Sequence, residues 1–357
     1  MADDSDGMAR TAEYLGYSGS PAAARDLSRR IVDARSRALG PEHPDTLVTR
    51  NHLARWTGEA GSPAAARDQA AALLPIVERV LGPEHPGTLA VRANLARMTR
   101  AARDAAGARD QFATLLPVFE RVLGPDHLDT LAIRDGLAWS TGEAGDKAGA
   151  RDQFAALLPV AERVLGPEHP RTLNYRAGLA RWTGGVKDAA GARDQFAALL
   201  PVFERVLGPE HPDTLYIRHS LARWTGQAGD PAGARDQFAA LLPMRQRVLG
   251  PDHPDTLIAH DHLAFWTGEA GDAAAARDQY TALLAVTERV RGPEHRRALT
   301  VRSHLARWTG EAGDPAAARD QYAALLPMQE RVLGPDHPDT LTTGGNLTNW
   351  TGKAEAG

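Results

Sequence analysis

The chain has 357 residues, of which 43% are hydrophobic and 24% are charged, and its formal net charge is −4. A charge this close to neutral argues against nucleic acid as a partner, because phosphate binding favours a basic stripe. The absence of cysteine excludes disulfides, thiolate metal sites and a cysteine nucleophile. No run of about 18 apolar residues could span a membrane, and the acidic, polar start lacks the features of a signal peptide, so we expect a cytoplasmic protein without membrane contact.

The sequence repeats itself every 42 residues without insertion or deletion. A histidine marks the period at His43, His85, His127, His169, His211, His253, His295 and His337. Positions within a repeat are counted from this histidine, so a position equals the residue number minus a multiple of 42. Residues 1–42 form a degenerate N-terminal repeat, residues 43–336 form seven complete repeats, and residues 337–357 supply a half repeat expected to cap the array. The fixed period predicts a single repeat array over residues 1–357.

Each complete repeat predicts two helices. The first opens at Pro44, where a proline at the first helical position wastes no N–H donor, and it ends near Gly61. The second opens at Pro63 after a Ser62 cap, with Asp230 and Asp314 as the caps in later repeats, and ends before Gly82. Proline at position 33 of most second helices predicts a kink. Because so small a helix pair cannot bury enough surface alone, the pattern predicts an all-α solenoid of about seventeen helices.

The residues of the hairpin resemble a known family. HPDT at its start, Leu-Ala in the first helix, glycine at position 19, alanine at position 24 and VLG at its end resemble a tetratricopeptide repeat of the kinesin-light-chain type. The variant LARWTGEAGD is similar to repeats in bacterial signalling and regulatory proteins. The resemblance covers essentially the whole chain. It implies a right-handed superhelical solenoid of antiparallel helix pairs that binds peptides or proteins in a concave groove.

The two faces of the first helix differ in how much they vary. At 100° per residue, positions 5, 8, 11, 12, 14 and 15 share one arc and hardly change, whereas positions 6, 9, 10, 13 and 17 share the opposite arc and mostly vary. We interpret the constant arc as packed and the variable arc, the first-helix strip, as free to bind a partner. The candidate binding residues on this strip are Arg55, Arg97, Asp135, Trp139, Asn174, Arg181, Tyr216, His219, Arg223, Asp261, Phe265 and Arg307.

Alternatives remain for several of these residues. Arginine at position 13 and glutamate at position 17 could recognise carboxylates and carbonyls of a partner, or they could form solvated i,i+4 pairs worth only about 0.3–0.5 kcal/mol. Trp139, Phe265 and Tyr216 would be aromatic anchors. However, Trp139-Ser140 replaces the Arg-Trp of other repeats, so Trp139 is equally well a core residue shifted by one place.

Arginine also recurs at position 8, in the middle of the constant arc. An unpaired buried charge costs too much free energy to recur in repeat after repeat. We therefore expect an acidic partner for each arginine. The first candidate is the aspartate at position 26, and the second is the glutamate at position 36.

The sequence contains no catalytic or metal-binding constellation. Equivalent histidines of stacked repeats lie roughly 10 Å apart, whereas zinc needs nitrogen ligands at about 2 Å; the recurring histidines are therefore expected to hydrogen-bond their own turns. No phosphate loop or hydrolase motif occurs. We predict no enzyme, no cofactor and no metal, but a protein- or peptide-binding scaffold. The alternative is a regulator that senses a peptide or metabolite and tightens on binding; homo-oligomerisation stays open.

Overall fold

The computed structural model describes residues 4–356, and these residues form helices without strands. Contacts between Cα atoms divide the chain into two compact units, residues 1–182 and 183–357. Among the described residues, no helix combines the length and the hydrophobicity needed to cross a membrane. The all-helical prediction is confirmed, and neighbouring helices pack as successive pairs within each unit.

The helices follow the predicted boundaries closely. The first unit contains α1 Asp4–Tyr17, α2 Pro21–Ala38, α3 Pro44–Glu59, α4 Pro63–Leu81, α5 Pro86–Ala101, α6 Ala105–Val122, α7 Leu128–Glu143, α8 Lys147–Leu165 and most of α9 Pro170–Gly185. The second unit contains the end of α9, α10 Ala189–Leu207, α11 Pro212–Gln227, α12 Pro231–Leu249, α13 Pro254–Glu269, α14 Ala273–Arg291, α15 Arg296–Glu311, α16 Pro315–Leu333 and α17 Pro338–Ala356. The odd-numbered helices are the first helices of their repeats.

The recurring histidine caps the first helix of its repeat. The Nδ1 atom of His43 accepts a hydrogen bond from the backbone N–H of Asp45 at 3.3 Å. The same bond recurs at His85, His127, His169, His211, His253, His295 and His337. The expectation that these histidines bond their own turns is confirmed.

The second helices are capped by aspartate rather than by serine. The carboxylate of Asp230 accepts a hydrogen bond from the backbone N–H of Gly233 at 2.8 Å. Ser62 occupies the same position, but its side chain makes no capping hydrogen bond, so the serine cap was predicted wrongly. Pro75 lies inside α4, which continues from Pro63 to Leu81; proline at position 33 therefore does not end the helix.

A tryptophan joins most repeats to the one before them. The ring of Trp182, at position 14, lies against Gly142, at position 16 of the preceding repeat. The same Trp–Gly contact joins Trp56 to Gly16, Trp224 to Gly184, Trp266 to Gly226, Trp308 to Gly268 and Trp350 to Gly310. Within each repeat, fully buried alanines at positions 12 and 24, such as Ala138 and Ala150, share a hydrophobic cluster. Small residues at these places let the helices approach closely.

Five of the six arginines at position 8 pair with the glutamate at position 36 of the preceding repeat, whereas Ser36 occupies that position before Arg50. Arg92 contacts Glu78 at 2.7 Å, and the guanidinium is half-buried. Equivalent pairs join Arg134 to Glu120, Arg176 to Glu162, Arg218 to Glu204 and Arg302 to Glu288. The first candidate partner was wrong: the aspartate at position 26 pairs with the arginine just before it, as in Arg67–Asp68. The second candidate is confirmed.

Candidate partner-binding surface

The arginines at position 13 cover the tryptophans that follow them. The guanidinium carbon of Arg223 lies 5.0 Å from the ring centroid of Trp224, and that of Arg307 lies 4.4 Å from Trp308. The same contact joins Arg55 to Trp56 and Arg181 to Trp182. Cation–π contacts contribute about 0.5–1 kcal/mol at exposed sites. Each of these half-buried guanidiniums therefore presents positive charge above a buried indole ring.

The glutamates at position 17 do not form a uniform set of i,i+4 pairs. Arg55 donates to Glu59 at 2.9 Å in the expected i,i+4 manner. Arg307, by contrast, donates to Glu269 of the preceding repeat at 2.7 Å. The solvated-pair interpretation therefore describes Arg55, whereas Arg307 links two repeats.

Position 9 varies in sequence although it is packed. Ala93 and Ala177 are each 4% exposed, Asp261 is 8% exposed, and Asp135 and His219 are half-buried. The interpretation that a variable face is free of packing was therefore wrong for this position.

Position 9 is packed because its side chain contacts position 10 of the next repeat. This contact joins Asn51 to Asn94, His219 to His262 and Asp261 to His304. The side chain at position 9 is therefore packed against the next repeat.

Four of the candidate residues come together in the first unit. Asp135 accepts a hydrogen bond from Trp139, and the charge of Arg97 acts on the same carboxylate. The guanidinium carbon of Arg181 lies 5.5 Å from a Trp139 ring centroid. Burial raises the pKa of Asp135 to about 6, although the charge of Arg100 opposes this rise. The group thus combines a half-buried acid with nearby positive charges.

Trp139 is a packed residue rather than an exposed anchor. Its ring lies edge-on to Phe154, with centroids 5.6 Å apart, and edge-on to Trp182 at 5.7 Å. Its neighbour Ser140 is fully buried at position 14, where most repeats carry tryptophan. The geometry therefore supports the interpretation of Trp139 as a core residue shifted by one place.

A buried polar network occupies position 9 and position 10 in the second unit. The carboxylate of Asp261 contacts a guanidinium nitrogen of Arg297 at 3.0 Å and Nδ1 of His304 at 3.1 Å. The hydroxyl of Tyr280 donates to the backbone carbonyl of Asp261. Burial alone would raise the pKa of Asp261, but the His304 hydrogen bond and nearby positive charges hold this pKa below its usual value.

Two histidines pack on one phenylalanine beside this network. The ring of His262 stacks on Phe238 at 5.1 Å, and His219 lies edge-on to both rings. Burial lowers the pKa of His219 to about 2 and that of His262 to about 4, so both rings are neutral at pH 7. Among the residues that the structure describes, no three histidine, aspartate or glutamate side chains are placed to hold a metal ion.

The remaining candidates differ in exposure. Phe265 is half-buried, with its ring centroid 4.9 Å from that of Trp266, and Arg307 lies 5.9 Å from the Phe265 ring. Tyr216 is 36% exposed, and Asn174 and Arg97 are also exposed. Tyr216 and Asn174 occupy position 6, where both are more exposed than the residues at position 9. Their chemistry changes from repeat to repeat without the packing that constrains position 9.

A cavity of about 390 Å³ lies in the first unit between α5, α6 and α7. Its lining includes Leu89, Ala90, Ala93, Phe112, Phe119, Ala132 and Ile133, with Arg97, His127, Asp129 and Arg171 among its polar residues. Space opens here because positions 6 and 9 carry small side chains, Ala90, Ala93 and Ala132. Three alanines at positions of the first-helix strip were the sequence signal for this cavity. They were missed because alanine was not considered as a binding residue.

Sequence reasoning also missed two buried arginines at position 35, where most repeats carry an apolar residue. Arg245 is 6% exposed and donates to the backbone carbonyl of Asp255 at 2.6 Å. Arg35 is 9% exposed and donates to the hydroxyl of Thr49. A charged residue in an apolar column of the repeat was the signal that could have identified both.

Comparison with known proteins identifies the repeat. Family models described as tetratricopeptide repeat match residues 12–45, 46–87, 88–129, 130–171, 172–213 and 214–255, and a further one matches residues 261–331. A search of curated proteins found no match.

Solved structures with similar folds include three informative neighbours. A Rap protein complexed with competence and sporulation factor has a TM-score of 0.61 at 11% identity, covering 98% of both chains. A putative kinesin light chain of Podosopora anserina, with nearly identical TPR-like repeats, has a TM-score of 0.50 at 23% identity, covering 58% of this chain and 98% of its own. BtubC (BKLC) from P. vanneervenii has a TM-score of 0.50 at 16% identity, covering 70% and 94%. These likenesses concern the fold.

Proposed function

Because the chain belongs to the tetratricopeptide repeat family, we propose that it is a protein- or peptide-binding scaffold that uses the first-helix strip. The observation that carries this proposal is that half-buried arginines recur at position 13 while the side chain at position 6 changes between repeats. A guanidinium covers a tryptophan in several repeats, while position 6 beside it presents Asn174 in one repeat and Tyr216 in the next.

A partner lying along the strip would meet both kinds of side chain. The guanidiniums would bond carboxylates or main-chain carbonyls, since arginine presents several donors in a fixed geometry. The side chains at position 6 would distinguish one partner from another. The Rap neighbour, solved in complex with competence and sporulation factor, supports ligand binding as a use of this fold.

The test is capture of partners from an extract, with identification by mass spectrometry. The test variant combines Arg181→Ala, Tyr216→Ala and Arg223→Ala on the strip. The matched control replaces three exposed arginines at position 37, Arg79, Arg121 and Arg163, whose partners are Glu42, Glu84 and Asp126. We expect the strip variant to lose partners that the control retains. Retention of every partner by the strip variant would refute the strip as the binding surface.

The second candidate function is that of a sensor. It is favoured by the absence of the Trp–Gly contact between two of the repeats. Between the second and third repeats, Arg100 and Ser140 stand where other repeats form the Trp–Gly contact, and the cavity lies between the same first helices. A ligand that filled this space would tighten the junction. Small-angle scattering with and without a captured ligand distinguishes the candidates, because a sensor predicts compaction and a plain scaffold predicts unchanged dimensions.

We propose a cytoplasmic location and binding rather than catalysis. Fractionation of cells that produce the tagged chain tests the location, and a turnover measured with the purified chain would contradict the binding role. Self-association, which near-identical repeats would allow, is measured by light scattering.

A further inference from the structure

The junction between the fifth and sixth repeats lacks the ion pair that is found at five other junctions. Elsewhere an arginine at position 8 contacts the glutamate at position 36 of the preceding repeat, as Arg92 contacts Glu78 at 2.7 Å. At this junction the two positions carry His260 and Gln246. Because glutamine carries no charge, a proton taken up by His260 would gain no acidic partner from position 36.

An arginine is buried at the same junction instead. Arg245, at position 35 of α12, is 6% exposed and donates to the backbone carbonyls of Asp255 and Leu215 rather than to a carboxylate. The exposed carboxylate of Asp255 offsets part of this charge. A buried guanidinium whose bonds go to carbonyl oxygens loses hydration without gaining a close counter-charge. The junction is therefore positively charged before any histidine takes up a proton.

Two histidines lie across this junction. The rings of His219 on α11 and His262 on α13 meet edge to face with centroids 5.0 Å apart, and both contact Phe238. The Nδ1 atom of His219 is buried and has no hydrogen-bond partner within the part of the chain that the structure describes. The charges that act on the two rings are mostly positive; they come from Arg223 on α11, Arg245 on α12, Arg297 on α15 and Asp261 on α13.

The acid of this set is already engaged. The carboxylate of Asp261 contacts Arg297 at 3.0 Å and His304 at 3.1 Å. A proton on His219 or His262 would therefore add a buried positive charge that desolvation and the neighbouring guanidiniums both disfavour. Rings exposed to water would instead take up the proton at their ordinary pKa of about 6.5. Falling pH consequently favours a state in which these rings are hydrated.

We propose that the junction between the fifth and sixth repeats is an acid-sensitive hinge. As pH falls below about 6.5, the N-terminal half of α13 moves away from α11 and α12, and the first-helix strip is interrupted between Tyr216 and Phe265. The ring of Trp266 against Gly226, at the other end of these helices, does not titrate and serves as the pivot. The release of a partner by this opening rests on the proposed function, whereas the opening itself does not.

Thiol labelling measures the opening without a partner, since the chain contains no cysteine. The probe is Ala259→Cys at position 7 of α13, and the matched control is Val301→Cys at position 7 of α15; both positions are fully buried. Position 7 packs against the second helix of the preceding repeat, as Val91 does against Val77. Labelling rates with dithiodipyridine are divided by those of the urea-unfolded chain at the same pH, which removes the pH dependence of the thiol.

We expect the relative labelling of Ala259→Cys to rise by at least about a hundredfold between pH 7 and pH 5. Each of the two histidines contributes about tenfold or more over this range, because it binds a proton more readily in the open state. The relative labelling of Val301→Cys should rise less than about tenfold, since His304 at that junction faces the carboxylate of Asp261.

A histidine variant tests the cause of the opening. His219→Ala with His262→Gly gives this junction the residues that Ala93 and Gly136 provide at another, and it should remove most of the rise at the Ala259→Cys probe. Circular dichroism at pH 7 establishes that the variant is folded. If it is not, His262→Phe alone, which keeps a ring against Phe238, should reduce the rise to about tenfold.

Three results would overturn the hinge: no rise at the Ala259→Cys probe, an equal rise at the Val301→Cys control, or an unchanged rise in a folded histidine variant. Partners captured at pH 7 should be released at pH 5 by the unchanged chain and kept by the histidine variant. Their retention by a chain whose junction opens would overturn the regulation of the strip. Failure to capture any partner at pH 7 would contradict the proposed function and leave the labelling result unaffected.

Discussion

The ring of Trp182 fills the space that a side chain on Gly142 would need: a Cβ atom placed on Gly142 would lie 2.5 Å from the ring. Gly142→Ala should therefore lower the free energy of unfolding of the first unit by about 1–3 kcal/mol, the usual cost of overpacking a core. The loss is measured by chemical denaturation followed by tryptophan fluorescence.

The chain contains its own control for this substitution. Gly352 occupies the same position of the last repeat, and a Cβ atom placed there would meet nothing within 4 Å. Gly352→Ala should therefore gain about 0.5–1 kcal/mol from helix propensity alone. Equal effects at Gly142 and Gly352 would contradict the packing explanation.

At the junction of the second and third repeats both partners of the Trp–Gly contact are replaced, and we infer that the two positions are coupled. Arg100 stands where the other repeats have glycine, and the following repeat has Trp139-Ser140 in place of Arg-Trp. The double substitution Trp139→Arg and Ser140→Trp recreates the Arg-Trp pair of the other repeats. It should destabilise the chain, because the new tryptophan ring would clash with the side chain of Arg100. Adding Arg100→Gly should recover stability, with a coupling energy of about 0.5–3 kcal/mol in a double-mutant cycle. Additive effects would refute the coupling.

The sequence predicted the frame of the fold because that frame is locally encoded. Histidine caps, glycine ends and the alternation of helices are set by residues within a few positions of one another, as at His43 and Gly61. Contacts between repeats were harder to predict. The partner of Arg92 lies 14 residues earlier, at Glu78, and choosing it over Asp110 needed the three-dimensional arrangement.

The strip shows a second limit of sequence reasoning. We interpreted variation of a side chain between repeats as a sign that the position is free of packing. The exposure of Tyr216 is consistent with this interpretation, but the burial of Asp261 is not. Position 9 is packed because it contacts position 10 of the next repeat, as Asp261 contacts His304. A single sequence with few repeats does not reveal which positions of neighbouring repeats contact each other.

Two non-glycine residues adopt the left-handed backbone conformation at position 19. Arg103 has φ of 69° and Lys187 has φ of 72°, where the equivalent residues are glycines such as Gly61 at 96°. A side chain in this region costs about 1–2 kcal/mol. Arg103→Gly and Lys187→Gly should each raise the free energy of unfolding by about 1 kcal/mol.

Denaturation by urea measures this gain, and Gly61→Ala is the opposite control. It should lower stability by a similar amount, because alanine would enter the same strained region. No gain at either Arg103 or Lys187 would mean that their side-chain contacts offset the backbone strain.

Asp135 should make the first unit less stable as pH rises. Its folded-state pKa, raised by burial to about 6, lies above the value of about 3.9 in an unfolded chain. The protonated form is favoured in the folded state, so stability is lost as pH rises between these values. Asp135→Asn keeps an acceptor for Trp139 and should be more stable than the unchanged chain by about 2 kcal/mol at pH 8.

The comparison is made by urea denaturation at several pH values. The advantage of Asp135→Asn should disappear near pH 4, where both chains carry an uncharged group at this position. An advantage independent of pH would show that the substitution acts through packing and not through the carboxylate.

His219 and His262 should make the second unit less stable as pH falls, which is opposite to the effect of Asp135 on the first unit. Burial lowers their pKa values to about 2 and about 4, below the value of about 6.5 in an unfolded chain. Protons therefore bind the unfolded state more readily, and stability is lost as pH falls from about 6.5 towards 4. The hydrogen-exchange protection factors of α11 and α13 should fall over this range.

The variant His262→Phe tests the cause, because phenylalanine can still stack on Phe238 but cannot take up a proton. We expect the protection factors of α11 and α13 to fall less at acidic pH, with little change at pH 7. His295→Asn is the control, since His295 caps α15 at an exposed turn. If the acid response is unchanged in His262→Phe, then titration of the stacked histidine pair is not what destabilises the second unit.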